Sequence, residues 1–209
     1  MRQEKFTLIG KHVRLEPLEP RHIEGLSVVA SPEAASLYRW TYVPQGIDQT
    51  TQYVNTAITW RDAGIAYPFA TVRQTDGVII GSSRYFDVER WAWPAGHERH
   101  GRLLPDVCEI GYTWLGHSSI RTAANTEAKL LMLTHAFEEW QVLRVCLHTD
   151  ERNERSRVAI ERIGGKFEGI LRSHRLAADH IPRNSARFSI VASEWPEAKQ
   201  RLTALLLSR

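Results

Sequence analysis

Three groups of residues in this chain have types and spacings suited to chemistry. The first is the run Ile120, Arg121, Thr122, Ala123, Ala124, Asn125 and Thr126, which leads into the helical pattern Thr126-Glu127-Ala128-Lys129-Leu130-Leu131-Met132-Leu133. The leading N–H groups of a helix have no partner within it and carry partial positive charge, so such a junction suits a pyrophosphate. Small side chains at Thr122, Ala123 and Ala124 let a ligand approach the backbone, and Arg121 can add a charge-assisted contact to a phosphate. Alternatively, Asn125 or Thr126 merely caps the helix and Glu127 stabilises its first turn. The second group is the carboxylate of Glu109, on a strand just before that loop: either a proton acceptor or an ordinary exposed strand carboxylate. The third is Asn153 with Ser156 three residues later, at the start of another helix, where both side chains could meet a ligand or bond locally to backbone.

The elements that must position these groups follow one another closely. Val107 to Leu115 reads as a strand, Gly116 to Asn125 as the loop, and the helix comes next. Leu143, Val145, Leu147 and Thr149 alternate with Arg144, Cys146, His148 and Asp150, which predicts a strand with one buried face. The helix opened by Asn153 stops at Gly164-Gly165. Two adjacent strand-to-helix junctions place two helix N-termini at one sheet edge, a cleft for a long, anionic, partly amide-like ligand. On the first strand, Cys108, Ile110, Tyr112 and Trp114 are expected on one face and Glu109, Gly111 and Thr113 on the other, with Gly111 marking a bulge.

The rest of the chain fits around this centre. Val13-Arg14-Leu15 reads as an early strand, followed by helices near 20–30 and 48–63. Tyr67 to Gln74 and Val78 to Val88 form a hairpin pattern joined at Asp76-Gly77. Residues 90–106 look irregular, strands near 166–175 and 186–192 complete the sheet, and Pro196 suits the first turn of a last helix.

With 209 residues, 43% of them hydrophobic, one compact domain over 1–209 is expected. No segment is apolar enough to span a bilayer and no leader pattern opens the chain, so a cytoplasmic protein with no membrane partner is expected. Cys108 and Cys146 lack close-spaced partners and read as reduced core thiols. The net charge is +3 and the pI about 9.0, with Arg152, Arg155, Arg157 and Arg162 around the asparagine-led helix. No readout residues accompany them, which argues against nucleic acid as a partner. No metal is expected either, because His97-Glu98-Arg99-His100 lacks a complete ligand set. No glycine fingerprint follows an early strand, which disfavours a dinucleotide oxidoreductase.

The segments "EIGYTWL", "NTEAKLLMLTHAFE", "RVCLHTDERNERSRVAIERIGGKFEGILR" and "EWPEAKQRL" are similar to the GNAT acetyltransferases, and within them to the RimJ/RimL-like ribosomal-protein N-terminal acetyltransferases. The resemblance runs from "VRLEPLEPRHIEGL" to the last helix and implies an α/β (α+β) fold. Its mixed, mostly antiparallel twisted sheet would splay at the acetyl-CoA site and carry helices on both faces. The family's loop reads Gln/Arg-x-x-Gly-x-Gly/Ala. Here Ile120 to Asn125 occupy it, with Ala123 in place of the central glycine, so ordinary negative φ is expected there. A shift of one residue would instead put Arg121 first and Ala124 in the glycine's place.

The resemblance implies acetyl-CoA as co-substrate, acetyl transfer to a primary amine (a protein N-terminus or a small molecule), and a homodimer as an expectation. Backbone atoms of Thr113, Trp114 and Leu115 would pair with the pantetheine arm, residues 120–126 would hold the phosphates, and Asn153 would bond the arm or cap its helix. Glu109 is the candidate general base. The tyrosine that many members carry on the later helix is missing from Ser156-Arg157-Val158-Ala159-Ile160, so Ser156 is the candidate donor to the leaving thiolate. Trp40, Tyr85 and Trp91, with Tyr42 and Trp93, are candidates to line an acceptor pocket or to be core. The altered glycine motif leaves a second class open, a non-catalytic acyl-CoA-binding or regulatory protein.

Overall fold

The computed structural model describes residues 5–30 and 38–208. Among them, eight strands form one sheet in the order β1-β2-β3-β4-β5-β6-β8-β7. The strands are β1 (Leu8–Ile9), β2 (Val13–Pro17), β3 (Ala66–Arg73), β4 (Ile79–Glu89), β5 (Val107–Leu115), β6 (Arg144–Asp150), β7 (Lys166–Leu176) and β8 (Pro182–Val191). Five α-helices accompany them: α1 (Ile23–Val29), α2 (Gly46–Asp62), α3 (Ala124–Thr134), α4 (Glu154–Arg162) and α5 (Trp195–Leu207). A π-helical turn, His135–Glu139, extends α3. No described helix is long and apolar enough to cross a membrane.

Every strand pair is antiparallel except β5 with β6. A parallel pair needs a crossover connection, and α3 supplies it. That pair is short: Val107, Cys108 and Glu109 face Arg144, Val145 and Cys146, and no further pairing follows. Because β6 continues along β8 to Asp150, β5 and β6 part beyond Glu109. This is the splay the site requires.

Helices cover both faces. Val13, Leu15, Phe69, Tyr85, Cys108, Ile110, Met132, Phe188 and Leu202 share the core under α3 and α5. Leu18, Leu26, Tyr53, Val54, Ala70 and Trp114 share the core under α1 and α2. Apolar side chains at alternate strand positions feed these two layers, as a sheet buried on both faces demands.

Strand β5 contributes to both cores because its alternation breaks. Ser82 faces Trp114 and Arg84 faces Gly111, so β5 holds one residue more than β4 between these pairs. Tyr112 absorbs the extra residue with φ of 50°. The bulge was expected at Gly111, but the left-handed residue is its neighbour. The expected sharing of one face by Cys108, Ile110, Tyr112 and Trp114 fails for this reason: the first two lie under α3, and Tyr112 and Trp114 lie under α2. β6 also departs from expectation. Cys146 and Asp150 are buried as well as Val145, Leu147 and Thr149, since an interior strand is covered on both sides.

The tryptophan-rich stretch between β4 and β5 is irregular, as expected, but well tied. The Asp106 carboxylate accepts from the Trp91 amide (2.8 Å), Trp93 Nε1 (2.9 Å) and Arg99 Nη1 (3.2 Å). Hydrogen bonds from Trp91 and Trp93 and the charge of Arg99 hold this carboxyl below its ordinary pKa, against the opposing effect of burial.

Candidate active site

Glu109 is the last β5 residue paired with β6 and is 3% exposed. Its Oε2 lies 3.0 Å from Arg175 Nη2 and 2.9 Å from His148 Nδ1, the latter a close contact without hydrogen-bond alignment. The same Arg175 nitrogen reaches Asp87 Oδ2 at 2.7 Å, and its guanidinium lies over the Phe86 ring. Oε1 points toward Gly111, 3.6 Å from where a Cβ there would stand. Glu109 is therefore not the exposed strand carboxylate that was the alternative. It is a buried carboxylate with one oxygen fixed and the other near Gly111, whose side-chain position the Phe86 ring fills.

A cavity of about 150 Å³ opens next to it, lined by Asp87, Glu89, Glu109, His148, His174 and Arg175 among others. Burial raises the pKa of Asp87, with Arg175 opposing. Burial, with help from Arg175 and His148, lowers that of His174 and favours the neutral ring.

The α3 entrance lies at the other end of the splay. The helix begins at Ala124, two residues earlier than the Thr126 start read from the sequence. Thr122 does the capping: its Oγ1 accepts from the Ala124 amide (3.2 Å) and donates to Ser119 O (2.8 Å). Ala123 takes φ of −65°, the negative value expected of alanine, while Arg121 takes φ of 63°. The Ile120 amide is spent on His117 O. The amides of Thr122, Ala123, Asn125 and Thr126 donate to no protein acceptor among the described residues. Arg162 Nη2 from α4 reaches Thr126 Oγ1 at 3.4 Å and brings positive charge to this end.

Glu127 would repel an anion here if its carboxylate faced the loop. It faces the β1–β2 turn instead, where Oε1 accepts from the Lys11 amide (2.9 Å) and Oε2 from the amides of His12 (2.6 Å) and Val13 (2.7 Å). The helix start thus keeps its partial positive charge, and these residues fit a diphosphate.

Along β5 beyond the splay, Thr113 Oγ1 accepts from the buried Lys129 Nζ (2.6 Å) and bonds Ser83 Oγ (2.7 Å). Burial pulls the Lys129 pKa down to about 7. Trp114 is buried against Tyr53, and Leu115 O accepts from the Tyr38 hydroxyl at 2.9 Å. Among the described residues, the β5 edge facing β6 has no strand partner past Glu109.

Asn153 caps α4, its Oδ1 accepting from the Ser156 amide at 3.1 Å. The Ser156 hydroxyl makes no hydrogen bond to protein among the described residues. Nearby, Arg152 grips Asp150 through two bonds (2.8 and 2.7 Å) and lies 4.0 Å over the Trp40 ring. Trp40 therefore packs at the α4 entrance. Trp91 is 47% exposed and its Nε1 donates to Glu89, a cavity residue, which puts it at the cavity's rim.

Tyr85 does not line the cavity. It is fully buried under α3, with its hydroxyl donating to Met132 O at 2.6 Å and its ring against Trp140, Tyr67 and Phe69. Strand parity explains the error, because Arg84 and Phe86 take the opposite face. In the insertion, His97 stacks on Trp93 and His100 Nδ1 bonds Trp93 O, so both rings serve the loop.

Sequence reasoning missed Arg175, His148, His174, Arg84, Lys129 and Tyr38. His148 did carry a signal, as a polar residue at an alternate position of a central strand. Nothing local connects Arg175, on β7, to Glu109.

Residues 12–166 match the family model described as an acetyltransferase (GNAT) domain. A Bacillus subtilis (strain 168) protein named as a ribosomal N-acetyltransferase, YdaF, is 25% identical over 201 residues, covering 91% of this chain and 97% of its own. The crystal structure of a GCN5-related N-acetyltransferase from Brucella melitensis superposes with a TM-score of 0.82 at 27% identity, over 99% of this chain and 87% of that one. Mycobacterium smegmatis RimJ, solved in complex with CoA-disulfide, shares the fold with a TM-score of 0.75 at 22% identity, over 92% and 88% of the two chains.

Proposed function

The chain belongs to the GNAT acetyltransferase family, and from that premise we propose that it moves the acetyl group of acetyl-CoA to a primary amine by direct attack in a ternary complex. One observation carries this reading above the others. The parting of β5 and β6 begins at a buried, oriented carboxylate, and β5 runs on from there to a helix start whose leading amides find no acceptor among the described residues.

Acetyl-CoA supplies a thioester whose carbonyl carbon accepts the amine and whose sulfur leaves. The chain's own groups divide the remaining work. Amides of Thr122, Ala123, Asn125 and Thr126, with Arg121 and Arg162 near them, hold the phosphates. The unpaired edge of β5 at Thr113 to Leu115 takes the amide-bearing arm as a further strand would, with the Tyr38 hydroxyl already on one of its carbonyls. Glu109 Oε1 accepts the proton released as the amine nitrogen bonds to carbon, while Arg175 keeps Oε2 in place. Ser156 donates to the sulfur as the C–S bond breaks.

The cavity bears on the acceptor. About 150 Å³ with charged walls is below the roughly 300 Å³ at which small-molecule pockets usually begin. An amine-bearing end of a larger molecule, such as a protein N-terminus, fits better than a wholly enclosed metabolite. A ribosomal-protein N-terminus is in keeping with the RimJ/RimL-like relatives, and a cytoplasmic setting follows from that acceptor.

The test is thiol release from acetyl-CoA with a panel of amines and N-terminal peptides, run beside thermal stabilisation by acetyl-CoA alone. Stabilisation and amine-dependent thiol release together support the reading. Stabilisation without release by any amine would leave the non-catalytic acyl-CoA-binding alternative in its place.

A further inference from the structure

Arg84 is 1% exposed, yet its Nε and Nη2 have no hydrogen-bond acceptor, and no carboxylate lies within ion-pair distance among the described residues. Its guanidinium carbon sits 4.2 Å from the Tyr112 ring centre, 4.8 Å from Tyr53 and 5.4 Å from Trp60. Aromatic faces attract the cation, but they supply no in-plane oxygens, and a buried charge without acceptors is costly. Nε and Nη2 form the side-on edge of the guanidinium, the edge that a carboxylate grips with two parallel bonds.

The place of Arg84 in the sheet says whose carboxylate this would be. Arg84 is the cross-strand partner of Gly111, and Phe86 is the partner of Glu109. Both arginine and glutamate lie on the α2 face, one register step apart, about 7 Å along the strand. Glu109 Oε1 lies toward Gly111, but the Phe86 ring covers that position, its Cε1 2.7 Å from where a Cβ would stand. Phe86 packs on Tyr112, over which Arg84 lies, so this one ring separates the free oxygen of the base from the arginine.

We propose that Arg84 is the counter-ion for a carboxylate carried by the acceptor, so that the preferred substrate is an amine bearing a carboxylate a few bonds away, such as an N-terminal aspartyl or glutamyl residue. The proposal rests on the acetyl-transfer reading above and narrows it. In this arrangement the acceptor takes the place of the Phe86 ring, its amine meeting Glu109 and its carboxylate filling the fork of Arg84, while Tyr53, Trp60 and Tyr112 keep water from competing.

The experiment compares peptides that begin with Glu or Asp against otherwise identical peptides that begin with Gln or Asn. The wild-type enzyme is expected to favour the carboxylates by about tenfold or more in kcat/KM, because the amide leaves the arginine charge unpaired. In Arg84→Met the preference disappears, chiefly through a higher KM for the carboxylate peptides. Arg84→Lys keeps the charge without the fork and holds part of the preference, which decides the matter if the Met variant does not fold. Equal rates for the two peptide sets in wild type would overturn the proposal, as would an equal loss on both sets in Arg84→Lys. Absence of transfer to every amine would instead count against the parent reading.

Discussion

Gly10 and Glu127 meet across the β1–β2 turn and the first turn of α3: a Cβ on Gly10 would stand 2.5 Å from Cδ of Glu127. The carboxylate cannot retreat, because three backbone amides hold it. Gly10→Ala should therefore lower stability by about 1–3 kcal/mol, the usual scale for overpacking a fixed site. A denaturant melt showing no loss would mean that the turn and the helix are not pinned together.

Lys129 makes stability depend on pH. Its pKa is about 7 in the folded chain and 10.5 ordinarily, so the folded state disfavours the proton. Stability should rise as pH increases from about 7 toward 10.5, and Lys129→Met should flatten that rise. Melting both proteins across this window measures the difference, and parallel curves would contradict the burial argument.

Glu109→Gln should reduce turnover by about 10²–10⁴-fold if the carboxylate is the general base. Acetyl-CoA binding, read by calorimetry, should survive because the phosphate end of the groove is untouched. Retained turnover would remove Glu109 from the proton transfer.

Ser156 and Asn153 should separate cleanly. Ser156→Ala should lower kcat by about tenfold or more if the hydroxyl serves the leaving sulfur. It should leave the melting temperature in place, since no group among the described residues uses that hydroxyl. Asn153→Ala should cost about 1 kcal/mol of stability through the lost helix cap. A stability loss in Ser156→Ala without a kinetic one would reverse the assignment.

Ala123→Gly restores the family's usual residue without need, since Ala123 already sits at φ of −65°. It should weaken the chain by about 0.4–1 kcal/mol and gain nothing in acetyl-CoA affinity. A marked gain by calorimetry would show that binding demands a left-handed residue there.

Much of the architecture was legible in the chain because it is written in local pattern. The Asp76-Gly77 hairpin, the Asn153 cap, the Gly164 stop and Pro196 all lie where short-range conformational preferences put them. The face of each β5 residue was legible only up to Gly111, because a bulge made by a tyrosine leaves no compositional trace. Tyr85 was misplaced for a related reason: an aromatic on a doubly covered strand looks the same whichever face it takes. Arg175 and Arg84 acquire meaning only when the sheet is assembled, Arg175 reaching Glu109 from β7, two strands beyond β6, and Arg84 from the adjacent β4, a long-range fact that no spacing in the sequence records.

The left-handed turn at Tyr112 makes one strand serve two hydrophobic layers in opposite phase. A slipped pairing of β5 on β4 could not seat Cys108 and Ile110 correctly while also seating Trp114, so each misaligned state forfeits burial on both sides of the sheet at once. Removing or inserting a single residue between Ile110 and Trp114 is accordingly a far graver injury than the same change within 94–104. An irregular stretch of the cleft's backbone is thus also what locks the sheet in alignment.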